Sequence, residues 1–252
     1  MITSPTPFHP ASIESVGLPT GLDAIFVIHA SIFFERRKLI ESQLGAIGLP
    51  FEFILDFDMP AISDAMRQRF FRNSELSPSQ QSCALKHWQA LNFMVTRNMG
   101  HALILEDDVI LASKFKNTLN RLMPEVLALE GAHVTFLGCG GHYYVSHDEI
   151  HPGRLLYPRN QGKFADSYIV SLDAAKRRLQ WIAEHGIPRP IDHLFEQIDR
   201  ELSTDMYWLE PPVVEQGSHN GTFGSTLVKS HPLWFQALQF RWKKMWRRRR
   251  HN

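Results

Sequence analysis

The hydrophobic pattern of the chain alternates between compact apolar runs and longer stretches with helical spacing. Short apolar runs bounded by turn residues predict buried strands, at residues 24–28, 51–55, 102–105, 133–137, 166–171 and 206–209. Apolar residues at helical spacing predict helices at 31–45, 76–96, 115–130 (interrupted at Pro124), 172–185 and from 188 onwards. Residues 143–163 show no clear period and predict a loop. This order of elements predicts an α/β fold.

The first two predicted strands and the helix between them form a βαβ unit. Such a unit joins parallel strands by a right-handed crossover. Near-continuous apolar runs are typical of strands in a parallel sheet that is covered on both faces. We therefore expect helices on both sides of a parallel sheet.

Three acids directly follow one of the buried strands. Residues 102–105 are apolar, Glu106, Asp107 and Asp108 follow, and residues 109–111 are apolar again. Ligands of open α/β sheets gather at the carboxyl ends of strands, and adjacent carboxylates repel one another unless positive charge lies among them. Hard divalent cations bind such oxygens. The stretch predicts a cation site, and a solvated surface turn is the alternative.

Composition narrows the class of protein. A length of 252 residues with 44% hydrophobic residues suits one large globular domain or two small ones. The two cysteines, Cys83 and Cys139, argue against a disulfide framework and are compatible with a reducing compartment. The first 22 residues are rich in Pro, Ser and Thr and predict an extended leader without the features of a signal peptide. No apolar run is long enough to span a bilayer.

Charge is distributed unevenly along the chain. Residues 229–252 carry eight of the 27 Lys and Arg residues and none of the 26 acidic ones, so the rest has 19 basic against 26 acidic residues. Aromatic and apolar residues recur at helical spacing within 233–246. This pattern predicts an amphipathic helix that binds an anionic membrane surface through residues 233–250. A helix packed on the domain, with a disordered Arg-rich end, is the alternative. The acidic body disfavours nucleic acid as a partner.

Several motifs agree in order and spacing with one family. They are Val27-Ile28, Glu35-Arg36-Arg37, the stretch from Leu76 to His87 with Cys83, the stretch from Ala102 to Val109, Tyr168 to Ser171, Pro190-Ile191-Asp192, Pro211 to Gln216, and Ser225-Thr226. On these motifs the chain resembles glycosyltransferase family 25, the lipooligosaccharide galactosyltransferases and their relatives, over roughly residues 24–228. It departs from the family's pattern at Gln80, where Glu is usual, and at Ser79 and Ser82, where glycines are usual.

The resemblance implies a GT-A type fold, with a Rossmann-like, mostly parallel central sheet flanked by helices. A basic amphipathic C-terminal helix follows it. The expected organisation is a leader at 1–22, a catalytic domain at 23–228 and a tail at 229–252. Within the catalytic domain, the donor half is expected at about 23–115 and the acceptor half at about 116–228.

The resemblance also implies an activity, which is metal-dependent, inverting transfer of a hexose. The first choice is galactose from UDP-galactose, moved onto a lipid-linked or lipopolysaccharide glycan by a cytoplasmic enzyme on the inner membrane. UDP-glucose or another nucleotide sugar is the alternative donor. A catalytically decayed, membrane-attached glycan-binding protein is the alternative without catalysis. A nucleotidyltransferase would be expected to carry a Gly-rich phosphate loop with Lys near the N-terminus, which the sequence lacks.

The same resemblance assigns metal and donor residues. Glu106-x-Asp108 is similar to the Asp-x-Asp motif of metal-dependent GT-A enzymes, so Asp108, with Glu106, is expected to hold Mn²⁺ or Mg²⁺. Glu106 or Asp107 is expected to face the ribose or the donor sugar. The other donor-binding candidates are Val27, Ile28, Arg36, Arg37, His87, Gln216 and Ser225. For the two arginines, a solvated helix face is the alternative to a phosphate contact.

Two further sets of residues complete the candidates. An inverting transferase needs a general base near the acceptor hydroxyl. Asp192 is the first candidate, followed by Asp166 and Glu215; the alternative for Asp192 is an acid that stabilises a helix N-terminus. Cys83 and His87 lie one turn apart on one helix face. Zinc is one interpretation, although the spacing supplies no further ligand, and a buried structural cysteine is the other.

Overall fold

The computed structural model describes residues 17–140 and 143–217, which form an α/β structure. The strands are β1 (Ala24–Ile28), β2 (Glu52–Ile54), β3 (His101–Glu106), β4 (Val109–Leu111), β5 (His133–Phe136), β6 (Leu156–Arg159), β7 (Ser167–Ser171), β8 (Asp205–Leu209) and β9 (Val214–Gln216). The α-helices are α1 (Phe34–Ala46), α2 (Asp64–Phe70), α3 (Pro78–Thr96), α4 (Phe115–Leu127), α5 (Leu172–His185) and α6 (Ile191–Glu201). Short 3-10 helices lie at Met59–Ala61 and His147–Glu149.

Seven strands form one central sheet in the order β2-β1-β3-β7-β5-β8-β6. The predicted βαβ unit is confirmed, because β1 pairs in parallel with both β2 and β3. β7 is antiparallel to β3 and to β5, and β6 is antiparallel to β8. Five of the seven strands therefore run in one direction, so the sheet is mixed but mostly parallel. β4 and β9 form a separate antiparallel pair.

The two faces of the sheet pack against two different sets of helices. Alternate residues of a strand point to opposite faces, so Ile25 and Val27 enter one core and Phe26 and Ile28 the other. The first core includes buried residues of α1 and α4, and the second includes those of α3, α5 and α6. The result is a three-layer arrangement in which the carboxyl ends of β1, β2 and β3 remain at one edge.

Two elements differ from the sequence-based prediction. β6 lies within the stretch predicted as a loop, and Pro158 is tolerated there because β6 is an edge strand that pairs only with β8. Helix α4 continues through Pro124, which the pattern had predicted to interrupt it. Pro124 and Asn120 are both exposed, so water can satisfy the Asn120 carbonyl that loses its helical donor.

The predicted leader lies largely outside the described residues, and the basic tail and Ser225 lie wholly outside them. Among the helices that the structure describes, none is long and apolar enough to cross a bilayer.

Helix α3 is fixed at its start by a capping box. Ser77 accepts a hydrogen bond from the Gln80 amide, and the Gln80 side chain accepts one from the Ser77 amide at 2.9 Å. Either Glu or Gln can fill this third position, so Gln80 preserves the cap that the family's usual Glu would make. Ser82, another departure, donates to the carbonyl of Phe57 at 2.7 Å and ties the helix to the segment after β2.

A pair of histidines lies at the sheet edge opposite the acids. The Nε2 atoms of His101 and His133 are 3.1 Å apart, and His133 Nδ1 lies 2.9 Å from the carbonyl of Gly131. Since a carbonyl can only accept, Nδ1 of His133 carries a proton, and Nε2 of neutral His133 accepts from His101. Burial lowers the pKa of both imidazoles, and His101 lowers that of His133 further.

This pair should make the folded state sensitive to acid. A lowered folded pKa means that the unfolded chain binds more protons once the pH falls below about 6.5. The free energy of unfolding should then fall with decreasing pH until the folded pKa is reached. His101→Gln, which keeps a donor for His133, should reduce this loss in urea unfolding between pH 7.5 and 5.5. An equal loss in both proteins would contradict the assignment.

Candidate active site

A cavity of about 550 Å³ opens where the parallel strands β1, β2 and β3 end. We call it the edge cavity. Its lining includes Ile28, Arg36, Asp58, Cys83, Lys86, Glu106 and Asp107. The last residue of β1 and the last residue of β3 both belong to it, as expected for adjacent parallel strands. Two of the three acids after β3, Glu106 and Asp107, thus line a cavity in the size range of small-ligand sites.

The chain itself places polar and positively charged partners among the acids. The Nδ1–H group of His29 donates to Asp107 at 2.6 Å, and Arg36 donates to the other oxygen of Asp107 at 3.3 Å. Arg36 also lies 3.9 Å from Asp108. Asp107 is thus a buried carboxylate held by two cationic or polar partners. Repulsion between the acids therefore does not by itself require a metal.

A further acid, Asp166, lies near the same acids at the start of the neighbouring strand. Asp166 directly precedes β7, and its carbonyl accepts from the Glu106 amide at 2.9 Å. Burial raises the pKa of Asp166 well above its usual range, and the nearby charges of Glu106 and Asp108 add to the effect. Among the residues that the structure describes, Asp166 Oδ1 has no hydrogen-bond partner. A carboxylate in this condition would gain from a cation.

The carboxylate of Asp166 packs directly on Gly138, just after β5. A Cβ atom at Gly138 would lie 2.8 Å from Asp166 Oδ2 and 2.9 Å from Ser167 Oγ. Only glycine lets the backbone approach this closely. A side chain at this position would force Asp166 and Ser167 to shift.

Glu106 brings together the two residues that the sequence placed on one face of α3. Its Oε1 atom lies 3.9 Å from Cys83 Sγ and 3.5 Å from His87 Nε2. One potential ligand atom from each of these three side chains lies within 4.8 Å of the others, and no other such group of three occurs within residues 17–140 and 143–217. Asp108, the expected metal ligand, is buried beside this group but does not belong to it.

The buried imidazole of His87 is oriented by a hydrogen bond to its second ring nitrogen, Nδ1. Its Nδ1 atom is hydrogen-bonded to the hydroxyl of Tyr168 at 3.0 Å, and the two rings stack at a centroid distance of 5.9 Å. Tyr168 lies in turn against Arg178, which forms a buried two-pronged ion pair with Asp199 at 3.0 and 2.5 Å. The α5–α6 layer thereby fixes the direction of His87 Nε2.

Carboxylates dominate the electrostatic surroundings of Cys83. Burial raises the pKa of its thiol, and Glu106, Asp192, Asp107 and Asp108 raise it further. Without a cation the sulfur is held as a neutral thiol. The sulfur therefore lies in a field that attracts positive charge.

The small β4–β9 sheet brings a remote segment to the acids. Because Val109 pairs with Gln216, the side chain of Gln216 reaches Glu106 and lies 3.4 Å from its Oε2 atom. The amide of Gly217 donates to the carbonyl of Asp108 at 2.7 Å. Gln216 thus lies beside the acids, and its expected role in donor binding stays a prediction. Glu215, the adjacent residue, points to the opposite face of this sheet.

Lys86 is a functional candidate that sequence reasoning missed. It is only 1% exposed, and its ammonium group donates to the carbonyls of Leu55 and Asp56 and to Asp58 at 2.9 Å. Burial lowers the pKa of Lys86. This one cation fixes the segment after β2, so it shapes the wall of the edge cavity.

The other donor candidates lie in three places, which are the edge cavity, the core and the surface of α1. Ile28 lines the edge cavity, as does Arg36. Val27 is fully buried in the core with α1 and α4. Arg37 points away, where it pairs with Glu41 at 2.9 Å and packs over the ring of Phe53. For Arg37 the structure therefore favours the alternative of a helix-surface residue.

A smaller cavity of about 100 Å³ lies between the start of α6 and residues 161–164. Asp192 lines it, together with Tyr143, Lys163, His193 and Glu196. Asp192 accepts a hydrogen bond from the amide of His193 at 2.9 Å, so it also serves its helix terminus. Burial lowers the pKa of Lys163 to about 8. Asp192 thus remains a candidate base on the acceptor side.

His29 and Asp58 could have been found from the sequence by considering the polar residues that follow every predicted parallel strand. His29 follows β1 directly and Asp58 follows β2 closely, so both belong to the edge that the acids of β3 share. Lys86 and Tyr168 lie within motifs of the resemblance, but nothing in the sequence indicated their individual roles, because a lysine on a helix is usually solvated and a tyrosine in a strand is usually core. Their roles depend on contacts between elements distant in sequence.

Comparison with known families gives one clear result. The family model described as glycosyltransferase family 25 (LPS biosynthesis protein) matches residues 23–155. No curated protein matches the chain significantly in sequence.

Solved structures give distant likenesses. A197 from STIV shares 14% identity, with 74% of this chain and 81% of that chain covered and a TM-score of 0.40. A glycosyltransferase involved in the glycosylation of the major capsid of PBCV-1 shares 12%, with 86% and 99% covered and a TM-score of 0.41. Mouse xyloside xylosyltransferase 1, apo form, shares 11%, with 74% and 82% covered and a TM-score of 0.39. The family match is the stronger finding.

The burial of Asp166 among like charges yields a stability prediction. Asp166→Asn removes a buried carboxyl whose charged form is disfavoured by burial and by Glu106 and Asp108, so the free energy of unfolding in chelator-containing buffer at neutral pH should rise by about 0.5–2 kcal/mol. The matched control, exposed Asp148→Asn, should change little. Denaturant unfolding measures both. A destabilised Asp166→Asn protein would show instead that the carboxylate is well compensated.

Proposed function

Because this chain belongs to glycosyltransferase family 25, we propose that the edge cavity binds a nucleotide sugar. The observation that supports this most directly is one of position. Every residue that lines the edge cavity falls within the matched residues 23–155. A volume of about 550 Å³ is in the range of small-ligand and cofactor sites. The proposed donor is UDP-galactose, with UDP-glucose or another nucleotide sugar as the alternative.

We propose that Arg36 contributes to donor binding. Its guanidinium group lines the cavity beside Asp107 and Asp108. A planar fork of N–H donors suits the oxygens of a diphosphate. The carboxylates keep that fork at the cavity wall before the donor arrives. Ile28 would contribute apolar surface to the same pocket.

The proposed cation site of the transfer reaction uses Asp108 and Glu106. Asp166, with an unpartnered buried oxygen in the described part of the chain, supports an oxygen-rich site of the kind that Mn²⁺ or Mg²⁺ prefers. A cation held there would stabilise the negative charge that develops on the leaving diphosphate. Gln216 would orient Glu106 through its contact with Oε2.

The proposed acceptor side is the smaller cavity. Asp192 faces it from α6 and is our first choice for the base that removes the proton of the acceptor hydroxyl in an inverting displacement. Asp166 is the second choice, because Glu106 and Asp108, whose charges raise its pKa, place it on the side of the proposed cation site. Glu215, on the opposite face of the β4–β9 pair from Gln216, is the third.

The proposed acceptor is a lipid-linked or lipopolysaccharide glycan. The family's description as LPS biosynthesis proteins supports this class. The proposed place of action is the cytoplasmic face of the inner membrane. Support for that placement comes from the sequence of residues 229–252, with its eight basic residues and aromatic stripe.

Asp108→Asn tests the catalytic proposal. Loss of one anionic ligand should lower the rate of UDP release from UDP-galactose in the presence of Mn²⁺ by at least about 10²-fold. The exposed control Asp148→Asn should keep the wild-type rate. A panel containing UDP-glucose covers the alternative donor. If the wild-type protein turns over no donor and calorimetry detects no UDP binding, a decayed glycan-binding protein would replace the enzyme.

Removal of residues 230–252 tests the membrane proposal. The full chain should co-sediment with vesicles that contain anionic lipid, and binding should weaken with added salt because each basic residue near the surface contributes about 1 kcal/mol. The shortened chain should remain in the supernatant. Equal sedimentation of both proteins would reject the tail as the anchor.

A further inference from the structure

The cluster of Cys83, His87 and Glu106 has the spacing of a metal site. In a tetrahedral zinc site with ordinary bond lengths, ligand atoms lie about 3.4–3.6 Å from one another. The observed separations are 3.9 Å between Cys83 Sγ and Glu106 Oε1 and 3.5 Å between His87 Nε2 and Glu106 Oε1. The third separation is no more than 4.8 Å. Side-chain shifts of about an ångström or less would therefore form the site.

The two better-fixed ligands are oriented by a second layer of contacts. The Tyr168 hydroxyl holds His87 Nδ1 and leaves Nε2 directed at Glu106. Gln216 contacts the other oxygen, Oε2, of Glu106 and leaves Oε1 for the cluster. Histidines that bind metals usually have such a partner on the second nitrogen. Cys83, half-buried and one helical turn before His87, completes a preorganised set of three.

The chemistry of the three ligands selects a class of metal. A thiolate and an imidazole favour Zn²⁺ and metals of similar softness, whereas Mg²⁺ and Mn²⁺ prefer oxygen ligands. The carboxylates of Asp107, Asp108 and Asp192 act electrostatically on the sulfur and would offset the charge of a divalent ion. The set thus differs from the oxygen-rich site proposed for sugar transfer, although Glu106 belongs to both.

We propose that Cys83, His87 and Glu106 bind Zn²⁺, or a metal of similar softness, with one coordination position open to the edge cavity. Both Cys83 and Glu106 line that cavity, so an exogenous ligand could reach the ion from there. Three protein ligands with an open fourth position characterise zinc sites that bind water or a small molecule. The inference concerns metal binding alone and does not depend on the proposed transfer reaction.

The test is a titration of the full chain with Cd²⁺ after treatment with chelator. Cadmium bound to a thiolate gives an ultraviolet charge-transfer band, which reports cysteine ligation without any enzymatic activity. The wild-type protein should develop this band with saturation at one equivalent, and Zn²⁺ should displace it. Cys139→Ser is the matched control, because Cys139 is the only other cysteine of the chain. This variant should behave like wild type.

Substitutions within the cluster should have the opposite outcome. Cys83→Ser should abolish the band, and Glu106→Gln should weaken Cd²⁺ binding by at least about 10-fold, since even second-layer substitutions cost about 10–100-fold in affinity. Circular dichroism checks that each variant is folded. If Cys83→Ser fails to fold, Glu106→Gln and Cys139→Ser decide.

Three results would overturn the proposal. They are a wild-type protein without a saturable band, a band that survives in Cys83→Ser, and a band that disappears in Cys139→Ser. Because no sugar donor is used, any of these would leave the glycosyltransferase proposal standing. Conversely, failure of UDP-sugar turnover would not affect the metal titration.

Discussion

The arrangement of this site depends on the compensation of three consecutive acids at the end of a buried strand. Asp107 is accommodated by His29 and Arg36, which come from the residue after β1 and from α1. Glu106 is shared between α3 and the β4–β9 pair. The charge of Asp108 helps to raise the pKa of Asp166, which precedes the neighbouring strand β7. Each acid thus interacts with a different structural element, and these interactions together link the elements around the edge cavity.

Helix α3 is the element that converts this edge into a cavity. Its capping box fixes where it begins, Ser82 and Lys86 bind the segment after β2, and Cys83 and His87 reach Glu106. One helix therefore contacts the ends of two strands through residues on adjacent turns. A buried ammonium group is costly unless it is paired and hydrogen-bonded, and Lys86 satisfies that condition through two carbonyls and Asp58.

Local features could be predicted well from the sequence, whereas contacts between elements distant in sequence could not. Helix α5 begins at the predicted residue, because Ser171 caps it, and it ends before Gly186, whose φ of 75° suits a residue without a side chain. The acids after β3 were found because hydrophobic pattern and position along the sheet agree. The antiparallel direction of β7 could not be read from its apolar run, because burial on both faces produces the same pattern in either direction.

The role of a site residue could be predicted only where it follows from the residues next to it in the sequence. Arg36 and Arg37 are adjacent and chemically alike, yet one lies beside Asp107 and the other packs over Phe53. Their difference arises from helix rotation, which a residue pair cannot reveal. Similarly, the spacing of Cys83 and His87 gave their common face, but the third member, Glu106, required the packing of α3 on β3.

The hydrogen bond between Gly217 and Asp108 ties the site to a strand pair outside the central sheet. Gln216 contacts the side chain of Glu106, and the amide of Gly217 fixes the carbonyl of Asp108. A substitution that separates β4 from β9 would therefore disturb two of the three acids at once, although it replaces neither of them.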